Sequence, residues 1–479
     1  MSQAAHADAR HAPTRLAIEN IRASIVGIDR HVPLLGGSHR TYVNFDNAAS
    51  TPALRPVFDK VNEFMAWYSS VHRGTGFKSQ ISTDAYEEAH RIVCDFVGAN
   101  HDTHAVIFGK NSTEALNKVA HRLDIEPGQV ILTSLMEHHS NDLPWRQRAQ
   151  IEHIAVDSHG ALDETHFDDL LKKYAGRVRL VAITGASNVT GYINSVHHLA
   201  EKAHAARAEI LVDAAQLAPH RAVDMRSDED PGHIDYLVLS AHKMYAPYGT
   251  GALVGRRDTF LRGDPDMVGG GTVDIVTIDD VKWAGLPDRE EAGSPNIAGA
   301  VALAKAILCL QEIGLDALAD HETKLTAHLL HELAQIPGVQ VYGIDDPARA
   351  GEKVGVVPFN IAGMSHYLVA AILGFEAGIG VRNGCFCAHP YLLRLLNLPA
   401  EEIRFHQAEI TNGVRAQLPG LVRISFGCYN NQAEVDWLIE VLSNIARGSY
   451  LGKYTQNPAT GAFSAEGFAP KTSDYFTLA

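Results

Sequence analysis

Short apolar runs alternate with amphipathic stretches between residues 105 and 255. The apolar runs lie at residues 105–108, 130–132, 154–156, 180–183, 210–212 and 236–239. Segments with helical periodicity lie between them, at residues 114–122, 166–174 and 196–207. Strands that alternate with helices are typical of a parallel sheet covered on both faces. The pattern therefore predicts an α/β fold with a large, doubly wound, mostly parallel sheet.

The pattern changes after residue 297, where two long helical segments begin. Possible strands and a further helix follow, and they predict a smaller α+β domain. We divide the chain into an N-terminal arm with part of the small domain (1–40), a large domain (41–297), a small C-terminal domain (298–448) and a tail (449–479). The predicted elements of the second part lie at residues 298–314, 317–335, 339–342, 354–360, 366–373 and 423–426. We expect the tail to lie along the surface or against a partner subunit.

Composition narrows the class of protein. A formal charge of −15 disfavours nucleic acid and anionic membranes as main partners, and no apolar run is long enough to span a membrane. The first residues lack the apolar block of a secretory signal, so we expect a cytoplasmic protein. Five cysteines in 479 residues do not make a disulfide framework. We expect Cys94, Cys309 and Cys428 to be buried packing residues.

A lysine and an aspartate follow two of the predicted strands. Lys243 comes shortly after the run 236–239, and Asp213 directly follows the run 210–212. In an open parallel sheet, ligands bind at the carboxyl ends of the strands. An amine that holds an aldehyde as an imine, with a carboxylate that keeps a pyridinium protonated, is the chemistry of a pyridoxal phosphate site. A solvated loop lysine and a helix-capping aspartate are the ordinary alternatives for each residue alone.

Further polar groups follow strand ends in the same region. Ser112 and Thr113 open a predicted helix, whose free amides suit a phosphate, although a plain helix cap explains them equally well. His138 could lie on a pyridine ring and carry a proton, or could be one surface histidine among 26. Asn188 could donate to a ring hydroxyl or a substrate carboxylate, or could belong to a turn. The agreement among these groups favours a cofactor site over separate coincidences.

Nine motifs appear between about residues 42 and 446 in the order in which the class V aminotransferase family carries them. They are HRG (72–74), STEALN (112–117), MEHHSNDLPW (136–145), SNVTG (187–191), VDAAQ (212–216), SAHKMYAPYGTG (240–251), GGGTV (269–273), EAGSPN (291–296) and RISFGCYN (423–430). The chain resembles this family, and more closely its cysteine desulfurase and selenocysteine lyase branch. The resemblance implies the pyridoxal-phosphate-dependent transferase fold of type I and a homodimer with shared active sites.

The resemblance also assigns the residues around the cofactor ring. It implies that Lys243 forms the imine and moves the α-proton, and that Asp213 pairs with the pyridinium nitrogen. Gln216 would contact the ring hydroxyl, and His138 would stack on the ring. The residues implied at the phosphate are Ser112, Thr113, Ser240 and His242, with Ser294 contributed by the neighbouring subunit.

The resemblance implies a substrate site for a small amino acid. Asn188 and Arg423 would hold the substrate carboxylate, and the planar guanidinium of Arg423 matches a carboxylate with two hydrogen bonds. We add Arg382 and Arg73 as further substrate-binding residues, because both lie in matching motifs.

Residues 381–390, Val-Arg-Asn-Gly-Cys-Phe-Cys-Ala-His-Pro, decide between reactions. In the desulfurase branch with a short cysteine loop, the nucleophilic cysteine follows a glycine by three positions, which here selects Cys387. A thiolate there would attack the substrate sulfur and become a persulfide, provided that positive charge such as Arg382 lowers its pKa. The resemblance implies L-cysteine as substrate, L-alanine as product, His138 as proton carrier for the thiol and a separate sulfur-acceptor protein.

Two features depart from the branch. Cys385 and Phe386 stand where the branch usually has polar residues, often histidine. Cys385 could accept the persulfide, resolve it as a disulfide or take no part. An insertion at residues 397–419 lengthens the segment between Cys387 and Arg423, so we expect the site entrance and any partner surface to differ.

Other interpretations remain at this point. We expect no metal site, because Cys385, Cys387 and His389 have no second Cys or His cluster at zinc-like spacing. A selenocysteine lyase, another C–S lyase, an epimerase or a transaminase would share Lys243, Asp213 and Arg423, so the sequence separates these alternatives only through Cys387. A pyridoxal-phosphate-binding regulatory or assembly protein is the non-enzymatic alternative, against which the intact set of ring-binding residues argues.

Overall fold

The structure, a computed structural model, describes residues 15–72 and 74–479. The α-helices are α1 (Arg55–Met65), α2 (Phe77–Phe96), α3 (Ser112–Arg122), α4 (Leu143–Arg146), α5 (Glu164–Lys173), α6 (Val196–Ala205), α7 (Arg257–Leu261), α8 (Ile297–Ile313), α9 (Leu315–Leu333), α10 (His366–Ala377), α11 (His389–Leu395), α12 (Ala400–Thr411) and α13 (Gln432–Ala446). The strands are β1 (His31–Pro33), β2 (His39–Thr41), β3 (Val43–Asn44), β4 (His104–Gly109), β5 (Val130–Ser134), β6 (Gln150–Ile154), β7 (Val178–Thr184), β8 (Glu209–Asp213), β9 (Tyr236–Ser240), β10 (Gly251–Arg256), β11 (Val273–Val276), β12 (Val281–Trp283), β13 (Val339–Val341), β14 (Val356–Ile361), β15 (Ile379–Gly380), β16 (Arg382–Gly384), β17 (Leu421–Ser425), β18 (Tyr454–Gln456) and β19 (Phe463–Ala465).

A seven-stranded sheet in the order β4-β10-β9-β8-β7-β5-β6 forms the centre of the large domain. Strands β5 to β9 run parallel, and β10 is antiparallel to both β4 and β9. Every residue of β5 and β9 is buried, as expected for strands with helices on both faces. The predicted α/β fold with a mostly parallel sheet is confirmed.

Two strands differ from the sequence prediction. The predicted run 154–156 is displaced, because β6 is an edge strand whose Gln-Ile-Glu-His-Ile sequence alternates polar and apolar residues. Strand β10 was not predicted, because glycines interrupt its apolar pattern. A Cβ at Gly251 would lie 2.5 Å from the backbone of Asn111, and one at Gly255 would lie 2.8 Å from the ring of Tyr236. The glycines thus allow close packing within the sheet.

A second, antiparallel sheet in the order β13-β14-β17-β16 packs on α9, α10 and α13 around a separate apolar core. The predicted strands and helices of this region are present with shifts of a few residues at their ends. Helix α8 packs instead on α1 and α2, within the core of the large sheet. The domain boundaries given above stay a prediction.

The last part of the chain is anchored to the small domain. Strands β18 and β19 form a hairpin, and the carboxylate of Glu376 accepts hydrogen bonds from Leu451 N, Gly452 N and Tyr454 Oη. The predicted insertion contains α12, a fully described helix in which no side chain is buried. Among the described residues, no single helix has the length and hydropathy to cross a membrane; α8 and α9 meet that test only as a pair bent by 75°.

Candidate active site

A cavity of about 250 Å³ lies at the carboxyl ends of the parallel strands. It brings together most of the predicted site residues, which come from loops after β5, β7, β8 and β9, from the start of α3 and from the small sheet. The predicted residues that line it are Ser112, Thr113, His138, Asn188, Asp213, Gln216, Ser240, His242, Lys243, Arg382, Cys387 and Arg423. Arg73 lies outside the described residues. Ser294 lines a different cavity with Gly109 and Gly249, so its predicted role toward a partner subunit stays a prediction.

Asp213 and Lys243 face the cavity from the ends of adjacent strands. Asp213 ends β8 and accepts a hydrogen bond from Ala215 N at 3.0 Å, and burial raises its pKa against the effects of that amide and of Lys243. Lys243 ends the short 3₁₀ turn that follows β9. Burial lowers the pKa of Lys243 to about 8, although Asp213 acts in the opposite direction. A substantial fraction of this amine is therefore the neutral nucleophile near pH 8.

His138 is a neutral imidazole in a fixed orientation. Burial, aided by the charge of Lys243, lowers its pKa to about 3. The amide of Ser140 donates to His138 Nδ1 at 3.1 Å, which places the ring proton on Nε2. The Ser140 hydroxyl lies 2.7 Å from the hydroxyl of Thr113 and so links this loop to the start of α3. A neutral ring with one defined donor suits stacking on a flat cofactor.

A buried glutamate supports the His138 loop from below. Glu137 accepts hydrogen bonds from Ser134 Oγ, from Asn141 Nδ2 at 2.6 Å and from Thr184 N at 3.0 Å. Burial nevertheless raises the pKa of Glu137 to about 8, with the charge of Asp213 acting in the same direction. The loop after β5 is thus tied to β7 through a buried carboxyl group that accepts three hydrogen bonds.

The cavity wall has polar atoms that the protein leaves without partners. Within residues 15–72 and 74–479, Gln216 Oε1 and Ser240 Oγ are buried and have no hydrogen-bond partner. Unpaired buried polar atoms are costly, so these two atoms indicate a polar ligand. The start of α3 adds amides with no acceptor inside the helix, which favour a phosphate. An aromatic cofactor with a phosphate at one end, pyridoxal phosphate, therefore fits the residues that are present.

The guanidinium of Arg423 reaches the cavity from the small sheet. Arg423 lies on β17, is 2% exposed, and donates to Asn188 O at 2.8 Å and to Asp46 Oδ1 at 3.1 Å. Its Nε is buried without a partner among the described residues. Arg382 lies opposite it in the strand register, 3.7 Å from Asp46 Oδ2. This group can hold a substrate carboxylate.

Asp46 orients both arginines and was not predicted from the sequence. It lies far from them in sequence, in a short polar segment after β3, and nothing local marks its role. The amide of Asn188 has a contact that was not predicted, because Nδ2 donates to Phe386 O at 2.7 Å; its role toward a ligand stays a prediction. Asn188 thus fixes the cysteine loop in this structure.

The two neighbouring cysteines have different environments. Cys387 is exposed and lines the cavity, with its carbonyl accepting from His139 N at 2.7 Å. Phe386 and Cys387 both have left-handed backbone angles, with φ of 52° and 55°. Cys385 donates from Sγ to Pro419 O at 3.2 Å, and burial raises its pKa to about 11. Cys94, Cys309 and Cys428 are buried, as predicted.

The chain belongs to the class-V aminotransferase family, whose model matches residues 43–438. A probable cysteine desulfurase from Halobacterium salinarum is 34% identical over 431 residues, which cover 88% of this chain and 95% of that protein. The cysteine desulfurase of Haloferax volcanii is 33% identical over 84% of this chain and 88% of that protein.

Solved structures agree with the fold. The apo cysteine desulfurase of Thermococcus onnurineus has a TM-score of 0.77 and 32% identity, covering 91% of this chain and 99% of that one. The cysteine desulfurase CsdA of Escherichia coli has a TM-score of 0.73 and 26% identity, covering 91% of this chain and 100% of that one. The protein therefore has the type I fold of pyridoxal-phosphate-dependent transferases.

Proposed function

We propose that the protein is a cysteine desulfurase that uses pyridoxal phosphate to convert L-cysteine to L-alanine and leaves a persulfide on Cys387. The observation that carries the proposal is the exposed thiol of Cys387 in the wall of the cavity that also holds Lys243 and Asp213. Relatives about one third identical that are named cysteine desulfurase support it.

The residues around the cofactor position have separate tasks. Pyridoxal phosphate, when bound, supplies an aldehyde for the substrate amine and a ring that accepts electrons from the α-carbon. Asp213 would hold a proton on the ring nitrogen, and Gln216 and His138 would contact the ring. The phosphate would be held by four residues of the same chain: Ser112 and Thr113 at the start of α3, together with Ser240 and His242.

Proton transfer at the substrate belongs to Lys243. With a pKa lowered to about 8, its amine can take the α-proton and return a proton to carbon near neutral pH. Arg423 and Arg382 would bind the substrate carboxylate, since both guanidinium groups line the cavity. This contact fixes the amino acid at one end and leaves its sulfur free to face the cysteine loop.

The sulfur transfer itself needs no outside oxidant. The Cys387 thiolate attacks the substrate sulfur, an S–S bond forms, and the C–S bond of the substrate breaks. The substrate carbon gains a proton in place of sulfur, so one L-cysteine and one thiol give one L-alanine and one persulfide. The neutral His138 has its proton on Nε2 and its Nδ1 turned to the amide of Ser140, so it would first donate from Nε2 and then take up the thiol proton at the same atom.

The assembly around this reaction is also part of the proposal. We expect a homodimer in which Ser294 of each subunit serves the partner's phosphate site, and a cytoplasmic location. A separate acceptor protein would take the sulfur from Cys387, because the exposed thiol is accessible from solvent.

The test measures alanine and sulfide released from L-cysteine with a reductant present. Cys387→Ser should lose both products, because serine cannot form a persulfide, while Cys385→Ser, its matched control, should retain them. Mass spectrometry should find one added sulfur on Cys387 in the wild type before reduction.

Full alanine release by Cys387→Ser would contradict the proposal. If L-cysteine gives no alanine but L-selenocysteine does, the protein is a selenocysteine lyase. If neither substrate reacts and another amino acid is turned over, a different class V reaction replaces the proposal.

A further inference from the structure

A second group of converging side chains lies at the amino ends of β8 and β9, away from the active-site cavity. It consists of His204 at the end of α6, His233 in the loop before β9, and Asp235, which directly precedes β9. Five residue steps of extended strand, about 16 Å at ~3.3 Å each, separate Asp235 from Ser240 at the cavity. Among the described residues, this is the one His, Cys, Asp or Glu group of three with ligand atoms within 4.8 Å of one another.

Hydrogen bonds fix the tautomers of both histidines. His204 Nδ1 lies 2.7 Å from Pro231 O, and His233 Nδ1 lies 2.7 Å from Asp230 O. A carbonyl oxygen only accepts, so each Nδ1 must carry a proton. In the neutral imidazoles, both Nε2 atoms therefore present lone pairs.

These lone pairs face the carboxylate of Asp235. His204 Nε2 lies 3.0 Å from Asp235 Oδ2, and His233 Nε2 lies 3.6 Å from Oδ1. Neutral rings in this tautomer turn two lone pairs toward a carboxylate, so the group binds either a proton on an Nε2 atom or a metal ion between the ligand atoms. Protons on both Nε2 atoms would create two imidazolium rings stacked 4.1 Å apart beside Arg256, itself 3.5 Å from Oδ1. One divalent ion would instead join both neutral imidazoles and the carboxylate in a single site.

The three ligand groups are as close together as a single metal ion needs. Bonds of about 2.0–2.2 Å in a tetrahedral site place neighbouring ligand atoms about 3.3 Å apart. Here His204 Nε2 lies 3.0 Å from Asp235 Oδ2 and His233 Nε2 lies 3.6 Å from Oδ1, and ligand atoms of all three residues lie within 4.8 Å of one another. Histidines that bind metals usually donate from the other ring nitrogen to a carbonyl or carboxylate, as His204 and His233 do. The Asp235 carboxylate is further fixed by the amide of Ile210, 2.8 Å from Oδ2.

We propose that His204, His233 and Asp235 bind a divalent transition-metal ion of the Zn²⁺ class. Two imidazoles and one carboxylate favour Zn²⁺ and similar ions over Mg²⁺ or Ca²⁺. The ion fastens the loop before β9 to α6 and to the amino ends of the sheet. It serves the stability of the large domain, since the reacting groups lie at the opposite ends of the strands.

A further histidine borders the same end of the sheet. His104 starts β4 opposite Arg256 in the strand register, and its Nε2 is buried with no partner among the described residues. Asp228 Oδ1, in the loop that leads to Asp235, is also buried without a partner in the described part of the chain. These two unpaired atoms show that this end of the sheet has further buried polar groups besides the three proposed ligands.

The test uses the holoenzyme, freed of loosely held metal with a chelator and titrated with Zn²⁺. We expect one equivalent to bind and the melting temperature to rise by a few degrees. His204→Gln and His233→Gln should weaken binding about 100-fold or more and abolish the rise. His198→Gln is the matched control, because His198 lies exposed on the same helix, and it should bind as the wild type does. Cysteine turnover per folded molecule should stay unchanged in all three variants.

A crystal of the wild type soaked in Zn²⁺ tests the site even if a variant fails to fold. The anomalous difference map should show a peak about 2.0–2.2 Å from His204 Nε2. A peak only at Cys387 or His389, equal binding in all variants, or no binding would overturn the proposal. Stability that rises steadily toward low pH without any response to Zn²⁺ would show that protons alone occupy the group.

Discussion

Asp213 and Asp235 are buried carboxylates at opposite ends of two adjacent parallel strands, and their pKa values move in opposite directions. At the carboxyl end of β8, burial raises the pKa of Asp213, because one amide and the nearby Lys243 compensate only in part. At the amino end of β9, burial acts in the same direction on Asp235. There the contacts of His204 and His233 and the hydrogen bond from Ile210 N outweigh it and lower the pKa.

The difference shows that the two ends of the sheet use a buried carboxylate in different ways. Asp213 faces a cavity, and its negative charge gains a full partner only when a cationic ring nitrogen arrives. Asp235 lies among groups that favour its anionic form, which is the form that a metal ligand needs. The same residue type therefore serves the reaction at the carboxyl end of the sheet, as Asp213, and the stability of the fold at the amino end, as Asp235.

The largest expected effect is on kcat, and it appears when a cationic residue is replaced at each end of the large sheet. Lys243→Ala should lower kcat for alanine formation on the order of 10³-fold or more, because it removes the group that moves the α-proton. Arg256→Gln, at the amino end, should leave kcat within about twofold. Steady-state alanine release by the two variants is the measurement. A similar loss of kcat in both variants would contradict the view that only one end of the sheet takes part in the reaction.

A pair of isosteric substitutions compares the two aspartates directly. Asp213→Asn should cost about 10²–10³-fold in kcat with no loss of stability at neutral pH, since a neutral amide replaces a carboxylate whose burial is unfavourable. Asp235→Asn should destabilise the fold by about 3–5 kcal/mol and spare kcat. Urea denaturation and activity of both variants are the measurements, and the opposite assignment of the two losses would refute the comparison.

Glu137→Gln tests whether burial also governs the carboxyl group beneath His138. The pKa of Glu137 is raised from 4.5 to about 8, so the folded protein retains a proton that the unfolded chain has lost between these values. Wild-type stability should therefore fall relative to Glu137→Gln as the pH rises from 4.5 to 8, by up to about 1.4 kcal/mol per pH unit. Parallel stability profiles would contradict the shift, and Glu401→Gln on the exposed α12 is the control.

The smallest expected effect is a difference in the rate at which two buried lysines are chemically labelled. Burial lowers the pKa of Lys243 to about 8 and that of Lys353 to about 7. Lys243 lines the cavity, whereas Lys353 is 1% exposed and donates to Ile344 O. Reductive methylation of the apoprotein should label Lys243 with half-maximal rate near pH 8 and leave Lys353 unlabelled. Equal labelling of both would mean that local opening, and not the cavity, controls access.

Much of the site could be predicted because it follows strand ends. The apolar runs located β5, β7, β8 and β9, and the polar residues just beyond them had to meet at one edge of the sheet. Asp213 and Lys243 were found in this way, and the resemblance to a family added Gln216 and Arg423. All four line one cavity.

The rest depended on contacts between distant segments. Asp46 lies 377 residues from Arg423, and only the folded chain shows that it orients this arginine. His204 and Asp235 come together because helix α6 and strand β9 pack at the same end of the sheet, and their wide spacing matches no short metal-binding motif. Periodicity also failed for β6 and β10, where an edge position and two glycines hide the apolar pattern.

The loop that carries Cys387 is held at several points. His139 N binds the Cys387 carbonyl, Asn188 Nδ2 binds the carbonyl of Phe386, and the guanidinium of Arg423 lies 4.7 Å from the centre of the Phe386 ring. In the proposed reaction, the outer sulfur of the persulfide therefore extends beyond the fixed Cys387 sulfur only by the length of one S–S bond, about 2 Å. Delivery by a swinging arm is then excluded for this loop conformation. The acceptor must bring its own thiol to the mouth of the cavity, so the shape of its tip, more than its overall affinity, would determine which proteins receive sulfur.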